Sequence, residues 1–129
     1  MPDPTLTQPL RLIIADDAPA VRQRVRTLLA GHASVTIDAE VASADDLIER
    51  LHTDQPDAVL LDINMPGSGI SALRHIKGQH PQVRVVMLTN HSGPYYRRLA
   101  KKAGADYFLD KSMEFEQIPA VLAQIARGA

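Results

Sequence analysis

Five short apolar runs, each followed by a stretch with helical spacing, leave this chain few ways to fold. The runs fall near residues 10–15, 35–41, 58–61, 83–89 and 107–110. Most are largely apolar, as in strands buried on both faces of a parallel sheet. The second differs, because Asp38 and Glu40 interrupt it with the alternation of a half-exposed edge strand. Helical stretches read near 19–30, 44–52, 69–78, 94–103 and 116–127. In the first, Pro19 suits the first helical position and Gly31 the stop, and Val21, Val25, Leu28 and Leu29 form one apolar stripe. In the last, Ile118, Val121, Leu122 and Ile125 share a face, and Pro119 is tolerable because it sits in the first turn. Strands alternating with helices in this way make a doubly wound α/β sheet of five strands and five helices, and right-handed crossovers allow few topologies.

Polar residues close four of the runs: Asp16 and Asp17, Asp62, Thr89, and Lys111. In a parallel sheet the carboxyl ends of the strands share an edge, and open α/β sheets bind ligands outside that edge. Three carboxylates, a hydroxyl and an ammonium would then converge. Carboxylates select a hard divalent cation such as Mg²⁺, while a hydroxyl and an ammonium suit phosphoryl oxygens. The combination points to phosphoryl chemistry on a carboxylate. Each residue also has a plainer reading. Asp16-Asp17 could cap the helix that begins at Pro19, Thr89 could be a turn residue, and Lys111 could lie along the surface. Adjacent aspartates at a strand end repel one another, however, and a bound cation relieves that repulsion.

Composition removes several function classes. Lys and Arg number 14 against 15 Asp and Glu, a net charge of −1, so there is no basic footprint for direct nucleic-acid binding. The absence of cysteine excludes disulfides, thiolate chemistry and zinc–thiolate sites, and fits a reducing compartment. No apolar run approaches the roughly 20 residues a membrane span requires. No charged-then-apolar leader precedes the first strand, so the expected location is the cytoplasm. Residues 1–9, MPDPTLTQP, read as a flexible tail before a single domain over 10–129.

Taken together, Asp16-Asp17, the Asp62-Ile-Asn-Met-Pro-Gly-Ser-Gly69 loop, Thr89, and Gly104-Ala105 leading through Phe108 to Lys111 resemble the receiver domain of two-component response regulators. The resemblance runs over residues 10–127, and the order and spacing of all four elements carry it. It implies a flavodoxin-like fold with strand order 2-1-3-4-5. It also implies that Asp62 is the phosphoacceptor, taking the phosphoryl group from a sensor histidine kinase or a histidine phosphotransfer protein. Asp17, Asp62 and the backbone carbonyl of Asn64 would bind Mg²⁺ directly, with Asp16 acting partly through water. Lys111 would pair with Asp62 and then with the phosphoryl group, Thr89 would turn its hydroxyl onto a phosphoryl oxygen, and Phe108 would be the aromatic switch. Such a protein catalyses only its own phosphotransfer and dephosphorylation, signals to a downstream protein through the face around the fourth and fifth helices, and is a monomer or a phosphorylation-dependent homodimer.

Three departures from the common receiver pattern stand out. Ser112 follows Lys111 where proline with a cis bond is frequent; a cis bond to a non-proline costs about 2.5–4 kcal/mol, so a trans peptide is expected. Ser112 is then available as a helix cap. Asn90 occupies a position at the pocket rim where a small residue is usual, and should hinder the attacking water. His91 beside it is either a solvated loop residue or an ionisable group at that rim. Tyrosine is common at the Phe108 position, and Tyr107 should point to the opposite face of the strand; a shift of one residue would exchange the two. Arg97, Arg98, Lys101 and Lys102 make a basic helix face, either solvated or paired with Asp106, Asp110, Glu114 and Glu116.

Two rival enzyme classes lack their residues. An aspartate phosphatase needs a second aspartate two positions after the first, where Asn64 stands, and no Gly-x-x-x-x-Gly-Lys loop is present for a nucleotide. A pseudo-receiver would have lost part of the pocket. The Lys-Ser-Met-Glu-Phe-Glu continuation from Lys111 resembles a group of short receivers, so the expectation is a stand-alone receiver; the alternative is the amino-terminal domain of a longer DNA-binding transcriptional regulator.

Overall fold

The computed structural model describes residues 8–90 and 93–128. The five strands are β1 (Leu10–Ala15), β2 (Val35–Val41), β3 (Ala58–Leu61), β4 (Arg84–Thr89) and β5 (Tyr107–Asp110). The five helices are α1 (Pro19–Leu29), α2 (Ala44–Thr53), α3 (Gly69–Gln79), α4 (Pro94–Lys102) and α5 (Ile118–Ala126). All strand pairs are parallel, in the order β2-β1-β3-β4-β5. The alternation of runs predicts the doubly wound sheet, and the strand order is the flavodoxin-like one that the resemblance implies.

Side-chain alternation along the strands divides the core in two. Ile13, Val59, Leu61, Val85 and Met87 pack against α2, α3 and α4 on one face. Leu12, Ile14, Leu60, Val86, Leu88 and Leu109 pack against α1 and α5 on the other. β3 is fully buried, which is why its sequence shows no polar alternation. The proline starts hold: Pro19 and Pro119 lie in the first positions of their helices, and Pro94 does the same in α4. The last helix is shorter than the expected 116–127 stretch, because Phe115–Gln117 forms a separate 3₁₀ turn before α5.

β2 departs from simple alternation. Leu12 pairs with Ile37 but Ile13 pairs with Ala39, so Asp38 is an extra residue in a bulge. A bulge re-aims every side chain beyond it. Ala39 and Val41 consequently pack into the α2–α4 side, and Glu40, level with Ile14, reaches the arginines of α1. Asp38 instead pairs with Arg11 Nε at 2.6 Å.

At the opposite end of the sheet from the acidic residues, Asp106 ties three elements together. Its carboxylate accepts from Lys77 Nζ at 2.7 Å, Val85 N at 2.8 Å and Arg84 Nη1 at 3.2 Å. Burial alone would raise its pKa, but these donors outweigh burial and hold it below the ordinary 3.8. A depressed carboxyl stabilises the fold above its unfolded pKa, and that stability is lost as pH falls through the folded value. Urea unfolding of Asp106→Asn should therefore show a lower midpoint than wild type at neutral pH, with the gap closing in acid. A gap of constant size from neutral to acid pH would mean that the Asp106 charge contributes nothing.

Candidate functional site

The site lies where β1, β3, β4 and β5 end. Asp16 and Asp62 follow β1 and β3 directly and are only 3% and 4% exposed; Thr89, the last residue of β4, is fully buried. Asp62 N donates to Ala15 O at 3.0 Å and Asp16 N to Val41 O at 3.0 Å, so the two carboxylates are held level across neighbouring strands. Asp17 is exposed at the mouth. One ligand oxygen from each of Asp16, Asp17 and Asp62 can be chosen so that all three lie within 4.8 Å of one another.

Lys111 enters from the end of β5, where its N–H donates to Thr89 O at 2.9 Å. Its Nζ stands 2.7 Å from Asp16 Oδ2 and 3.3 Å from Asp62 Oδ2. The ammonium thus bridges both buried carboxylates and sits nearer to Asp16, although the resemblance assigns it first to Asp62. The Asp16 Oδ2 atom is buried, and the Lys111 ammonium at 2.7 Å is its charged partner. Burial lowers the Lys111 pKa, but the two carboxylates more than reverse this and raise it above the ordinary 10.5. The Asp62 pKa is raised above 3.8, first by burial and then by the Asp16 charge, against the pull of Lys111 and of the Asn64 N–H.

The β3–α3 loop explains how backbone comes so close to Asp62. A Cβ on Gly69 would lie 2.0 Å from the Asp62 carbonyl oxygen, so only glycine fits there. Asn64 N donates to Asp62 Oδ1 at 3.2 Å, and Pro66 O accepts from Ala44 N at 2.8 Å, which docks the loop onto α2. Asn64, Asp17, Met65 and Tyr96 line part of an open groove of about 650 Å³ beside the acidic residues. The Asn64 carbonyl therefore belongs to a loop held against the site.

The donor set fits a hard divalent cation. Three carboxylates face one ammonium, a deficit of two positive charges, and their oxygens are the donors a hard ion takes. Among the described residues this is the one cluster of three acidic, imidazole or thiol side chains able to hold a metal ion.

The remaining expected positions fall as follows. Phe108 lies opposite Met87 and packs toward α4, with Arg97 Cζ 4.7 Å from its ring centre, while Tyr107 packs on the α1–α5 side. Asn90 is exposed just beyond Thr89, and His91 lies outside the described residues. The Lys111–Ser112 peptide is trans. Ser112 does not cap the next helix; instead Asp110 Oδ1 accepts from the N–H groups of Ser112 and Met113, forming the turn itself. Of the basic face on α4, Arg97 pairs with Glu114 at 3.1 Å, whereas Asp106 serves Lys77 and Arg84. One contact had no sequence signal: Arg22 Nη1 of α1 donates to Asp16 O at 2.6 Å.

Residues 12–123 match the response regulator receiver domain, and the chain belongs to that family. It is 32% identical over 124 residues to the nitrate/nitrite response regulator protein NarL of Escherichia coli K12, covering 94% of this chain and 56% of NarL. It is 28% identical over 120 residues to the transcriptional regulatory protein DegU of Brevibacillus brevis, covering 92% of this chain and 51% of DegU. The signal receiver domain of the NarL-like regulator of Mycobacterium tuberculosis superposes with a TM-score of 0.84 at 30% identity, covering 95% of this chain and all of that one. The chain spans little more than half the length of these curated relatives.

The raised Asp62 pKa has a stability consequence. A carboxyl whose folded pKa exceeds 3.8 favours folding in acid, and that contribution is lost as pH rises through the folded value. In chelator, Asp62→Asn should be more stable than wild type at neutral pH, with the difference shrinking toward acid and on adding Mg²⁺ to wild type. Urea midpoints that fall in the mutant at neutral pH would contradict the repulsion described here.

Proposed function

We propose that the protein is a phosphoacceptor receiver in a His–Asp phosphorelay, with Asp62 as the nucleophile. The observation that carries this is one nearly buried carboxylate at the sheet edge, flanked by two more carboxylates and reached by a lysine ammonium. A carboxylate oxygen of Asp62 attacks the phosphorus of a phosphohistidine on a sensor kinase or phosphotransfer protein. A P–O bond forms, the P–N bond breaks, and the imidazole nitrogen keeps the electron pair. Asp16, Asp17, Asp62 and the Asn64 carbonyl would hold Mg²⁺, which when bound offsets the charge of the phosphoryl oxygens. Lys111 pairs with those oxygens, and the Thr89 hydroxyl turns toward them. Turning Asp62 into an aspartyl phosphate adds about one negative charge, and that excess draws Thr89 and Lys111 inward. Phe108 then responds on the face around α4 and α5, which addresses a downstream protein. The protein acts on no substrate but its own phosphoryl group, works in the cytoplasm as a monomer or a phosphorylation-dependent homodimer, and contacts neither membrane nor nucleic acid directly.

Treatment with acetyl phosphate and Mg²⁺ should add one phosphoryl group by intact-mass spectrometry, and Asp62→Asn should abolish the addition. Undiminished labelling of the mutant would move the nucleophile elsewhere. Asn90, exposed beyond Thr89, should slow the water that hydrolyses the product. Asn90→Ala should therefore shorten the phosphoryl lifetime; a tenfold change would correspond to about 1.4 kcal/mol of barrier. An unchanged dephosphorylation rate would leave Asn90 without this role.

A second reading of the output is favoured by length. Relatives about twice as long as the matched region, one of them named a transcriptional regulatory protein, support a receiver that heads a longer DNA-binding regulator. The full reading frame around this sequence decides between that and a stand-alone receiver.

A further inference from the structure

We propose that Arg22 is a positioning residue for the divalent cation, holding the Asp16–Asp17 turn through the Asp16 carbonyl and itself anchored by Glu40. The inference rests on the receiver reading above and concerns residues that reading does not use.

The Asp16 carbonyl precedes α1, and Pro19, three residues on, has no N–H to offer it. The N–H groups of both Val21 and Arg22 go to Ala18 O. A carbonyl at this depth needs a donor. Arg22 Nη1 supplies it at 2.6 Å, from a side chain only 19% exposed. Asp16 is then held at three points: its N–H by Val41 O, its Oδ1 by the Ala18 N–H and its carbonyl by Arg22. That carbonyl shares a peptide plane with the Asp17 N–H, so fixing it sets the direction from which the Asp17 side chain leaves. Among the described residues no hydrogen-bond donor holds the exposed Asp17 carboxylate. Its aim depends on the backbone behind it.

Glu40 aims the guanidinium. Its Oε1 accepts from Arg22 Nε at 3.2 Å, and both of its oxygens lie 2.6 Å from Arg26 Nη1. Glu40 reaches α1 because of the bulge at Asp38, which brings it level with Ile14. An irregularity in the edge strand is thus connected to the acidic pair by one fork-shaped side chain. Arginine suits the role because its planar donors can serve a carbonyl and a carboxylate at once, which a lysine ammonium on a single flexible stem does poorly.

A competing effect has the opposite sign. A guanidinium near the pocket also repels Mg²⁺, so deleting it could tighten binding. Glu40, shared between Arg22 and Arg26, offsets part of that charge, and in the proposed arrangement positioning outweighs the remaining repulsion. Variants separate the two, because Arg22→Lys keeps the charge and loses the fork, while Arg22→Ala loses both.

Mg²⁺ binding to the full chain is measured by calorimetry for wild type, Arg22→Lys, Arg22→Ala and Glu40→Gln, alongside the Mg²⁺ dependence of acetyl-phosphate labelling and urea unfolding in chelator. Residues that orient metal ligands typically change affinity by 10–100-fold. Both Arg22 variants should therefore bind Mg²⁺ about tenfold more weakly, with Glu40→Gln between them and wild type. The change should fall on the Mg²⁺ concentration for half-maximal labelling rather than on the maximum. Wild-type affinity in Arg22→Lys, or tighter binding in Arg22→Ala, would overturn the proposal. If Arg22→Ala does not fold, Arg22→Lys and Glu40→Gln decide the question. Failure of wild type to bind Mg²⁺ or take up phosphate would instead strike the receiver reading itself.

Discussion

Negative charge taken out of water is the constraint on which the rest of this molecule depends. Two carboxylates, Asp16 and Asp62, are almost completely buried at the edge of the sheet, and Lys111 is the ammonium that reaches both. Burying an ion costs several kcal/mol unless partners replace its hydration. One lysine cannot balance two buried carboxylates and the exposed Asp17 beside them. Burial first, and then the Asp16 charge, hold the Asp62 pKa above its ordinary value despite Lys111. A site with a standing deficit of positive charge binds a divalent cation well, and it responds strongly when the charge on one of its carboxylates changes.

Holding such charges in place falls to the backbone around them. Gly69 lets the start of α3 approach the Asp62 carbonyl closely. Gly67 and Ser68 both take positive φ, at 88° and 74°, and the Ser68 hydroxyl accepts from Ser71 N to cap α3. For serine that conformation is strained, and the cap together with the Pro66–Ala44 hydrogen bond offsets it. The loop that carries Asn64 is therefore fixed to both α2 and α3. On the other side of the pocket, Arg22 does for the β1–α1 turn what glycine does for this loop.

Much of this was legible in the sequence because a parallel sheet converts order along the chain into position in space. Once five runs were read as parallel strands, Asp16, Asp17, Asp62, Thr89 and Lys111 had to share an edge. What escaped depended on a single extra residue or on side-chain reach. The bulge at Asp38 is invisible to a period-two pattern, which would have put Asp38 and Glu40 on one face; the structure sends them to Arg11 and to the arginines of α1. Lys111 could be placed at a strand end, but its distances to Asp16 and Asp62 depend on how a four-carbon stem packs. Ser112 and Asp110 are both good turn formers, and only the geometry shows that Asp110 accepts the two N–H groups. The ambiguity between Tyr107 and Phe108 resolves through the pairing of Phe108 with Met87, whose face is that of α4.

That last pairing suggests how charge at the pocket reaches the surface. Lys111 N binds Thr89 O; one residue earlier, Asp110 N donates to Glu114 Oε1, and the same oxygen accepts from Arg97 on α4. Arg97 in turn lies over the Phe108 ring. On the proposed function, drawing Thr89 and Lys111 toward a phosphoryl group pulls on this chain at its origin. A partly exposed cation–π contact contributes about 0.5–2 kcal/mol and an exposed ion pair up to about 1. These two contacts of Arg97 are each small beside the several kcal/mol at stake in the buried charges of the pocket. On the proposed function, a change of about one charge at Asp62 would therefore act on α4 through contacts weak enough to rearrange.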